Sequence, residues 1–404
     1  MAEHEEHEEE RKVDKEADKK ILEDARKALK ECIDEEFLER QKMKDDLRFC
    51  TLDQWPSEIR QERENDLENG PRPCLTIDKI NQYIVQVVND MRQGKPGINV
   101  RPQDDAADVE TAKIIKGLIR NIEDQSNADI SYSTSGELAA KIGLGYFRIT
   151  TEYVSEDSWD QEIFIRPIQN TFSTYLGRHI MPDGSDAERG YIIESMPLAK
   201  FKNEFPKAKV TREAFDELQD QITYWHTGEM VTVVEEYCIE KTLKEIHFLA
   251  DGSTISKEVY DKIKGDKPAV QESRFTQQKQ LKWRKMTGIE VLEKRDLPGK
   301  YIPVVEVIGR ESYVDGKRVL WGLVRPAKDS LRADNYIAST IVEKMALAPK
   351  TPYIGAVGQF AGMEDRWKKA NRVNYAYLEY EPIDIQGNAI PRPERQGAMP
   401  MEVA

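Results

Sequence analysis

The stretch Lys328–Leu347 has the sequence KDSLRADNYIASTIVEKMAL and separates two parts of the chain that differ in character. Its larger apolar residues recur at helical spacing and are expected along one side: Leu331, Ile337, Ile341 and Met345. Asp329 or Ser330 can cap a helix at its start, and Pro349 and Pro352 stop it. The stretch therefore predicts one uninterrupted helix about 30 Å long.

The residues before this helix change from helical to β character near Gly145. Helices are predicted from three- and four-residue apolar spacing over Asp14–Leu47, Asp78–Arg92, a segment that opens at Asp104–Asp108, and Ala128–Ile142. Strands are predicted over Ile98–Arg101, Tyr146–Tyr153, Gln161–Ile168, Tyr191–Ser195, Met230–Ile239, Thr242–Phe248, Ile302–Ile308 and Val319–Val324. Asp251-Gly252 and Asp315-Gly316 predict hairpin turns. The sequence thus predicts an α+β body over residues 71–325 and a turn-rich tail over 351–404.

Charge is concentrated at the N-terminal end. Residues 1–70 carry 24 acidic and 14 basic side chains, so they account for −10 of the total formal charge of −14. The first 13 residues are so charged and so poor in apolar side chains that we expect a disordered acidic tail. Proteins that grip DNA phosphates usually carry a basic excess. Any contact of the nearly neutral body with DNA is therefore expected to be loose.

The sequence shows no pattern for a cofactor, a metal site or a catalytic centre. The cysteines Cys32, Cys50, Cys74 and Cys238 form no C-x-x-C pair, so we expect free thiols. No phosphate-binding glycine loop is present. Acidic residues at positions 104, 105 and 108 are better explained as the start of a helix, and Pro182–Asp186 as a surface turn, than as metal ligands. No apolar run reaches the roughly 20 residues that a membrane span needs.

Two short stretches interleave aromatic and basic side chains, a composition that suits nucleic-acid contact. Lys282-Trp283-Arg284-Lys285 is explained equally well as a solvated strand edge, which we favour. Trp367-Lys368-Lys369 follows the long helix, where contact with a partner is plausible, and here the two interpretations are balanced.

The order of several segments resembles podovirus-type phage portal proteins. The segments that carry the resemblance are Gln54-Trp55, Arg72-Pro73-Cys74-Leu75-Thr76-Ile77, Pro96-x-Ile98-x-Val100-Arg101-Pro102, Asp108-Val-Glu-Thr-Ala112, Gly143-x-Gly145-Tyr146-x-Arg148, Gly322-Leu323-Val324-Arg325, Ala346-Leu-Ala-Pro349-Lys350-x-Pro352-x-Ile354-Gly355 and Gly358-Gln359-Phe360. None of them is diagnostic alone, but their order over residues 45–404 is specific.

The resemblance implies a portal-type α+β fold with N-terminal helices, a mixed β wing domain, one long stem helix and a small α/β clip domain. In this chain the parts would be a disordered tail over 1–13, a helical extension of the wing over 14–70, the wing over 71–325, the stem helix over 328–348 and the clip over 349–404. Family members continue with a second stem helix, a channel loop and a crown. This sequence stops at Ala404, where that second stem helix would begin. The alternatives are that the chain is a fragment, that the gene is incomplete, or that only part of a longer chain is given.

The resemblance also implies a function and partners. Copies would form a dodecameric ring, a head-to-tail connector at one capsid vertex of the virion, assembled in the host cytoplasm. Double-stranded DNA would pass through it during packaging and ejection. The ring would contact capsid and scaffolding protein, the terminase large subunit and later tail adaptor proteins.

Candidate residues follow from position in the family order. On the stem helix, Arg332 and Lys344 are expected to face the channel or to pair between subunits. In the clip, the residues expected to contact terminase or adaptor are Gln359, Trp367, Lys368, Lys369, Tyr375 and Tyr377. No enzyme activity and no membrane contact are expected. The alternatives are a monomeric interaction scaffold and a metal-dependent nuclease that uses Asp104, Asp108, Asp183 and Asp186.

Overall fold

The computed structural model of the chain describes residues 2–65, 71–94, 97–102, 108–208, 230–263, 268–347, 353–370, 375–383 and 387–395; it does not describe the side chains of 2–15, 344, 346 and 347. The described residues form both helices and strands, in agreement with the predicted α+β class. It divides into two compact units: one contains 1–54 and 78–328, and the other contains 55–77 and 329–404.

Nine helices lie in the described residues. They are α1 (Ala2–Cys50), α2 (Ser57–Glu64), α3 (Ile80–Gln93), α4 (Val109–Ser126), α5 (Ala128–Ile142), α6 (Leu198–Glu204), α7 (Lys257–Lys262), α8 (Val324–Leu347) and α9 (Glu364–Lys369). Helix α5 has the predicted bounds. Helix α1 is described from Ala2, within the predicted disordered tail; that tail stays a prediction, because the side chains of 2–15 lie outside the described residues.

Thirteen strands lie in the described residues. They are β1 (Leu144–Tyr153), β2 (Gln161–Ile168), β3 (Thr174–Leu176), β4 (Arg189–Pro197), β5 (Met230–Leu249), β6 (Thr254–Ser256), β7 (Val270–Met286), β8 (Val291–Leu297), β9 (Val304–Ile308), β10 (Arg310–Val314), β11 (Lys317–Trp321), β12 (Tyr353–Ile354) and β13 (Glu394–Arg395). One sheet has the order β2-β1-β9, and a larger one has the order β3-β4-β5-β7-β8 with β6 beside β5. β10–β11 and β12–β13 are separate two-stranded pairs.

Four sequence predictions about strands were wrong. The predicted strands Met230–Ile239 and Thr242–Phe248 are one strand, β5, because no turn-forming residue separates them. Ile98–Arg101 is not a strand, since it has no pairing partner in the described part of the chain. The predicted strand Val319–Val324 ends at Trp321, because Gly322 packs so closely on the backbone of α5 that a Cβ would lie 2.4 Å from the Ala140 oxygen. Lys282–Lys285 lies inside a sheet and not at its edge, because β7 pairs there with both β5 and β8.

The hairpin turn at Asp315-Gly316 and the helix start at Asp108 were predicted correctly, whereas the predicted cap at Asp329 or Ser330 was wrong, because α8 already begins at Val324. Asp315 and Gly316 have φ angles of 51° and 74°, as a tight hairpin turn requires, and they join β10 to β11. The Asp108 carboxylate accepts a hydrogen bond from the Glu110 N–H at 2.9 Å and thereby caps α4. Residues 104 and 105 lie outside the described part. The four cysteines are free thiols, and burial raises the pKa of Cys50 to about 11.

Helix α1 covers one face of the larger sheet. Its apolar stripe packs on side chains of β3, β4, β5 and β7 in a common cluster: Leu22, Ala25, Leu29 and Ile33 with Tyr175, Tyr191, Ile193, Val234 and Met286. Such burial contributes roughly 25 cal/mol for each square ångström of apolar surface removed from water. A second cluster joins the two sheets around Ile142, Leu144 and Tyr146. The larger sheet is therefore held firmly where α1 and the second cluster cover it.

Candidate functional site

In the second unit, one side of the long helix α8 is covered by an extended stretch, residues 71–77. The Leu75 N–H donates to the Ser339 Oγ at 2.9 Å, and the Ile77 N–H donates to the Asn335 Oδ1 at 2.8 Å. Ser339 and Asn335 are buried. The two buried side chains accept hydrogen bonds from backbone N–H groups of the extended stretch, as the carbonyl groups of a partner strand would.

An aromatic and ionic cluster extends this contact. The ring centroids of Trp55 and Tyr336 are 4.7 Å apart, and the Trp55 Nε1–H donates to the Leu75 oxygen at 2.9 Å. Arg63, on α2, is buried and bonds to the Glu343 carboxylate at 2.8 Å. We call the described residues 55–65 and 71–77 the bracing segment, because they support α8 along two to three turns.

This support was not predicted from the sequence, and the bracing segment fell within the ranges predicted as wing. The signal was present in two of the segments that carry the family resemblance, Gln54-Trp55 and Arg72–Ile77. Their contacts with α8 are far apart in sequence, so no local pattern reveals them. The Arg63–Glu343 pair, for example, joins residues 280 positions apart.

Another side of α8 is bare within the described residues. Its exposed apolar side chains are Ile337 (57%), Ile341 (38%), Val342 (41%) and Met345 (59%). Leu331 was predicted on the same side as Ile337, Ile341 and Met345; it is buried, whereas those three side chains are exposed. Helices that stay in water normally carry polar residues outward, so this stripe is typical of a surface that packs on something else. Arg332 is half-buried on α8, and the Lys344 side chain lies outside the described residues.

The first turns of α8 belong to the first unit and are fixed to α1 by charge. Asp46 is fully buried; its Oδ2 accepts from the Arg325 Nε at 2.9 Å, and its Oδ1 lies 2.7 Å from the Lys328 Nζ. Arg325 also bonds to Glu39 at 3.0 Å, and Lys328 to Asp45. Buried ion pairs of this kind fix an orientation strongly, since losing one partner leaves the other charge buried and alone.

The segment after α8 has a small core around Gln359. The Gln359 Oε1 accepts from the Ala356 N–H at 2.9 Å, and its Nε2 donates to the Pro391 oxygen at 2.8 Å. Gly355 has to be glycine here, because a Cβ would lie 2.6 Å from the Gln359 Oε1. The Trp367 ring packs on Tyr353 and Phe360, at centroid distances of 4.9 and 4.7 Å. These contacts give a structural reason for Gly355 and Gln359-Phe360 in the family pattern.

The six residues predicted to contact partners in this segment differ in accessibility. Gln359 is buried and joins parts of the segment internally, and Trp367 is half-buried and donates to the Glu379 oxygen at 2.7 Å. Lys368, Lys369 and Tyr377 are exposed, and Tyr375 is half-buried. All six remain predictions as partner contacts. The exposed residues Lys368, Lys369 and Tyr377 are those that a partner could contact directly.

The carboxylates considered as metal ligands bond to their own turn. Asp186 accepts from the N–H groups of Ile180 and Met181 at 2.7 and 3.0 Å, and Asp183 accepts from the Ser185 N–H at 3.1 Å. The hydrogen bond from Ile180 lowers the pKa of Asp186. Within the described ranges, no group of three or more His, Cys, Asp or Glu side chains is placed to hold a metal ion. No described helix is long and apolar enough to cross a membrane.

A long helix supported along one side and bare along another, fixed at its start by buried ion pairs, is typical of a structural subunit that packs against other chains. Comparison with known families agrees with this class. The family model for phage P22-like portal proteins matches residues 26–404, and the chain belongs to that family. The resemblance seen in the sequence is thereby confirmed, and the family consists of structural assembly components without enzyme activity.

One curated relative is a portal protein of Acyrthosiphon pisum secondary endosymbiont phage 1. It is 24% identical to this chain over 345 residues, which cover 80% of this chain and 47% of the relative. The chain therefore spans about half the length of this curated relative.

Proposed function

We propose that copies of this chain form a closed dodecameric ring at one vertex of the capsid, through which double-stranded DNA enters during packaging and leaves during ejection. Membership of the P22-like portal family over residues 26–404 is the observation that carries the proposal. The bare apolar stripe on α8 supports it, since a ring of parallel helices would cover that stripe with the neighbouring subunit.

In this proposal residues 14–70 and 71–325 form the wing, 328–348 the stem helix and 349–404 the clip. The bracing segment is then the part of the wing that supports the stem helix, because it contacts α8. Arg332 and Lys344 face the channel or pair between neighbouring subunits.

The charge distribution suits a channel that does not hold its cargo. Outside residues 1–70 the chain carries a net charge of only −4 over 334 residues. A strongly basic wall would release counterions from the DNA and bind it, whereas a nearly neutral wall lets the duplex slide. The work against the packed DNA then belongs to the motor that docks on the ring.

The clip is the proposed docking surface for that motor, the terminase large subunit, and later for tail adaptor proteins. Its accessible basic and aromatic residues Lys368, Lys369 and Tyr377 are the best placed for direct contact, and Gln359 and Trp367 shape the surface from below. Capsid and scaffolding proteins would contact the wing. Assembly takes place in the host cytoplasm before the ring becomes part of the virion.

Mass photometry of the purified chain tests the ring. A single subunit has a mass of 46.6 kDa, so a closed ring of many copies is easily separated from a monomer. A species that stays monomeric at high concentration would instead support the interaction scaffold. DNA cleavage stimulated by magnesium and lost in Asp183→Asn and Asp186→Asn would support the nuclease, and we expect none.

A further inference from the structure

Strands β5 and β7 continue well beyond the sheet in which they start. Strand β4 pairs with β5 only as far as Cys238, and β8 pairs with β7 only from Leu281 onward. Past these points β5 and β7 pair with each other from Glu240 to Leu249 and from Val270 to Gln280. We call this two-stranded extension the arm. Its outer end carries the short strand β6 and the helix α7.

Both edges of the arm are open in the described part of the chain. On the β5 side, Glu240–Glu245 lies between the residues paired with β4 and those paired with β6. On the β7 side, all of Val270–Gln280 has β5 as its only strand partner among the described residues. In an antiparallel pair about half of the N–H and C=O groups point away from the partner, so each edge presents a row of them to the outside.

The β7 edge lacks the proline and the central bulge that often protect exposed strands. Proteins usually shield an edge with proline, a bulge, or a concentration of charge. Val270–Gln280 contains no proline, and the irregularity in its pairing lies at the outer end, between Phe248 and Leu249. Four of its residues are glutamines, whose amides can donate and accept across a paired strand: Gln271, Gln277, Gln278 and Gln280. The edge is therefore suited to receive a further strand.

The faces of the arm are exposed as well. Leu243 and Phe275 are each 72% exposed, and they lie diagonally opposite on the same face, because Glu245 pairs with Phe275 and Leu243 with Gln277. A two-stranded ribbon is only marginally stable in water. The arm thus has the composition of a strand pair that gains its order from a partner.

We propose that the partner is the arm of a second copy of this chain, with the β7 edge of one arm paired to the β5 edge of the next. The two open edges lie on opposite sides of one ribbon. A copy placed alongside therefore offers its β5 edge to the first copy's β7 edge in the antiparallel sense that the arm already uses. Repeating this step joins every copy by the same head-to-tail contact, which is the contact that a closed ring requires.

The charges along the two edges are compatible with this pairing. Glu240–Glu245 contains two acidic and two basic residues, and these have partners within the chain: Glu240 with Arg284, Lys241 with Glu188, Lys244 with Glu258 and Glu245 with Lys257. Val270–Gln280 contains Glu272, Arg274 and Lys279. Neither edge carries an excess of one sign large enough to repel a neighbour. The inference rests on the proposed ring but adds a specific interface to it.

Hydrogen exchange followed by mass spectrometry tests the pairing on the full chain, before and after assembly. We expect the outward amides of 240–245 and 270–280 to exchange at least about 100-fold more slowly in the ring than in the free chain. Rings whose arm amides exchange as fast as in the free chain would overturn the arm pairing and leave the proposed function standing. A chain that never forms rings would overturn the proposed function, and this inference with it.

Two neighbouring proline variants provide a matched pair for the same question. The backbone N–H groups of successive residues in a strand point to opposite edges. One of the variants Gln277→Pro and Gln278→Pro therefore removes an N–H that bonds to β5, and the other removes an N–H that points outward. Amide hydrogen exchange of the free chain identifies the variant in which β5 and β7 still pair along the arm. We expect that variant to need about 10-fold more protein for ring assembly, and unchanged assembly would contradict the pairing.

Discussion

Strands β5 and β7 pair along their whole length, but two parts of this pair have different surroundings. One part is the arm, and the other, which we call the base, is formed by residues 234–239 of β5 and 281–286 of β7. At the base, Glu236 is fully buried; it bonds to Arg284 at 3.0 Å and to Arg189 at 3.4 Å, and α1 packs over the same face. In the arm, Leu243 and Phe275 stand in solvent. The described residues of the base pack within the chain, whereas the proposed pairing would give the arm partners from a second copy. Strand pairing alone therefore does not reveal where a subunit ends.

The two sides of helix α8 differ in the same way, since one side is packed within the chain and another is exposed. Its supported side satisfies the backbone of residues 71–77 through Asn335 and Ser339, while Ile337 and Met345 lie bare on another side. In both places, substitutions on the internally packed part should destabilise the free chain. Substitutions on the bare part should affect only the assembled protein.

The largest effect is expected at the base of the β5–β7 pair. Replacing Arg284 by alanine leaves the buried Glu236 carboxylate with only its longer contacts, so the free energy of unfolding should fall by about 3–5 kcal/mol. Arg295→Ala is the control, because that side chain is 63% exposed and its pair with Glu293 contributes less than about 1 kcal/mol. Chemical denaturation of the free chain measures both, and equal losses would remove the contrast.

On α8 the effect should be smaller but still clear. Asn335→Leu leaves the Ile77 N–H without its acceptor and should cost about 1–3 kcal/mol. The matched variant on the bare side, Ile337→Ser, should change the free chain by less than about 0.5 kcal/mol. It should, however, raise the concentration needed for assembly. The account of α8 would be wrong if Ile337→Ser destabilised the free chain as much as Asn335→Leu.

A pH effect should appear at the loop between β3 and β4. Burial lowers the pKa of His179. Its hydrogen bonds to Glu306 at 3.0 Å and to the Gly177 oxygen at 2.8 Å raise the pKa by more than burial lowers it, so the net shift is upward. Glu311 and Arg318 of the β10–β11 hairpin also surround this cluster, as do Tyr146 and Asp186.

Because the folded pKa lies above the unfolded one, the stabilisation from His179 is fully present at low pH. It is lost as the pH rises through the raised pKa. When each exchange rate is divided by the intrinsic rate at the same pH, the protection of the loop amides 178–186 should therefore fall between acidic and neutral pH in the parent chain. In His179→Gln this change should disappear, and a pH response that survives the substitution would exclude His179 as its source.

The smallest effect on the free chain is expected in the arm. Phe275→Ser exposes no new apolar surface and should change the free energy of unfolding of the free chain by less than about 0.5 kcal/mol. In the assembled protein the same substitution should weaken protection of the arm. Thermal unfolding of the two forms, compared side by side, measures the difference, and equal effects in both would place Phe275 among the internal contacts.

The features predicted correctly from the sequence are those that depend on neighbouring residues, and the features missed depend on residues far apart in the chain. Helix α5, strand β2 and the Asp315-Gly316 turn follow from apolar spacing and backbone preference, and they were predicted with little or no error. The continuity of β5 was missed because Glu240 and Lys241 were taken as a break, although their partners lie in β7 and beside β4. The bracing segment was missed because its contacts with α8 join residues more than 250 positions apart.

The candidate site divides in the same way. Family order indicated Gln359 and Trp367 as partner contacts, but only the structure shows that they join parts of the segment after α8 to each other. No local pattern reports on the ion pair between Arg63 of α2 and Glu343 of α8, because the two residues are far apart in sequence. Channel and partner contacts depend on other chains, and neither the sequence pattern nor a single chain can define them.

Electron microscopy of the purified full chain tests the central claim most directly. We predict end-on views with rotational symmetry and a central opening wide enough for a DNA duplex, with α8 of each copy packed against its neighbours. A homogeneous preparation of single, unassociated subunits at high concentration would contradict the account.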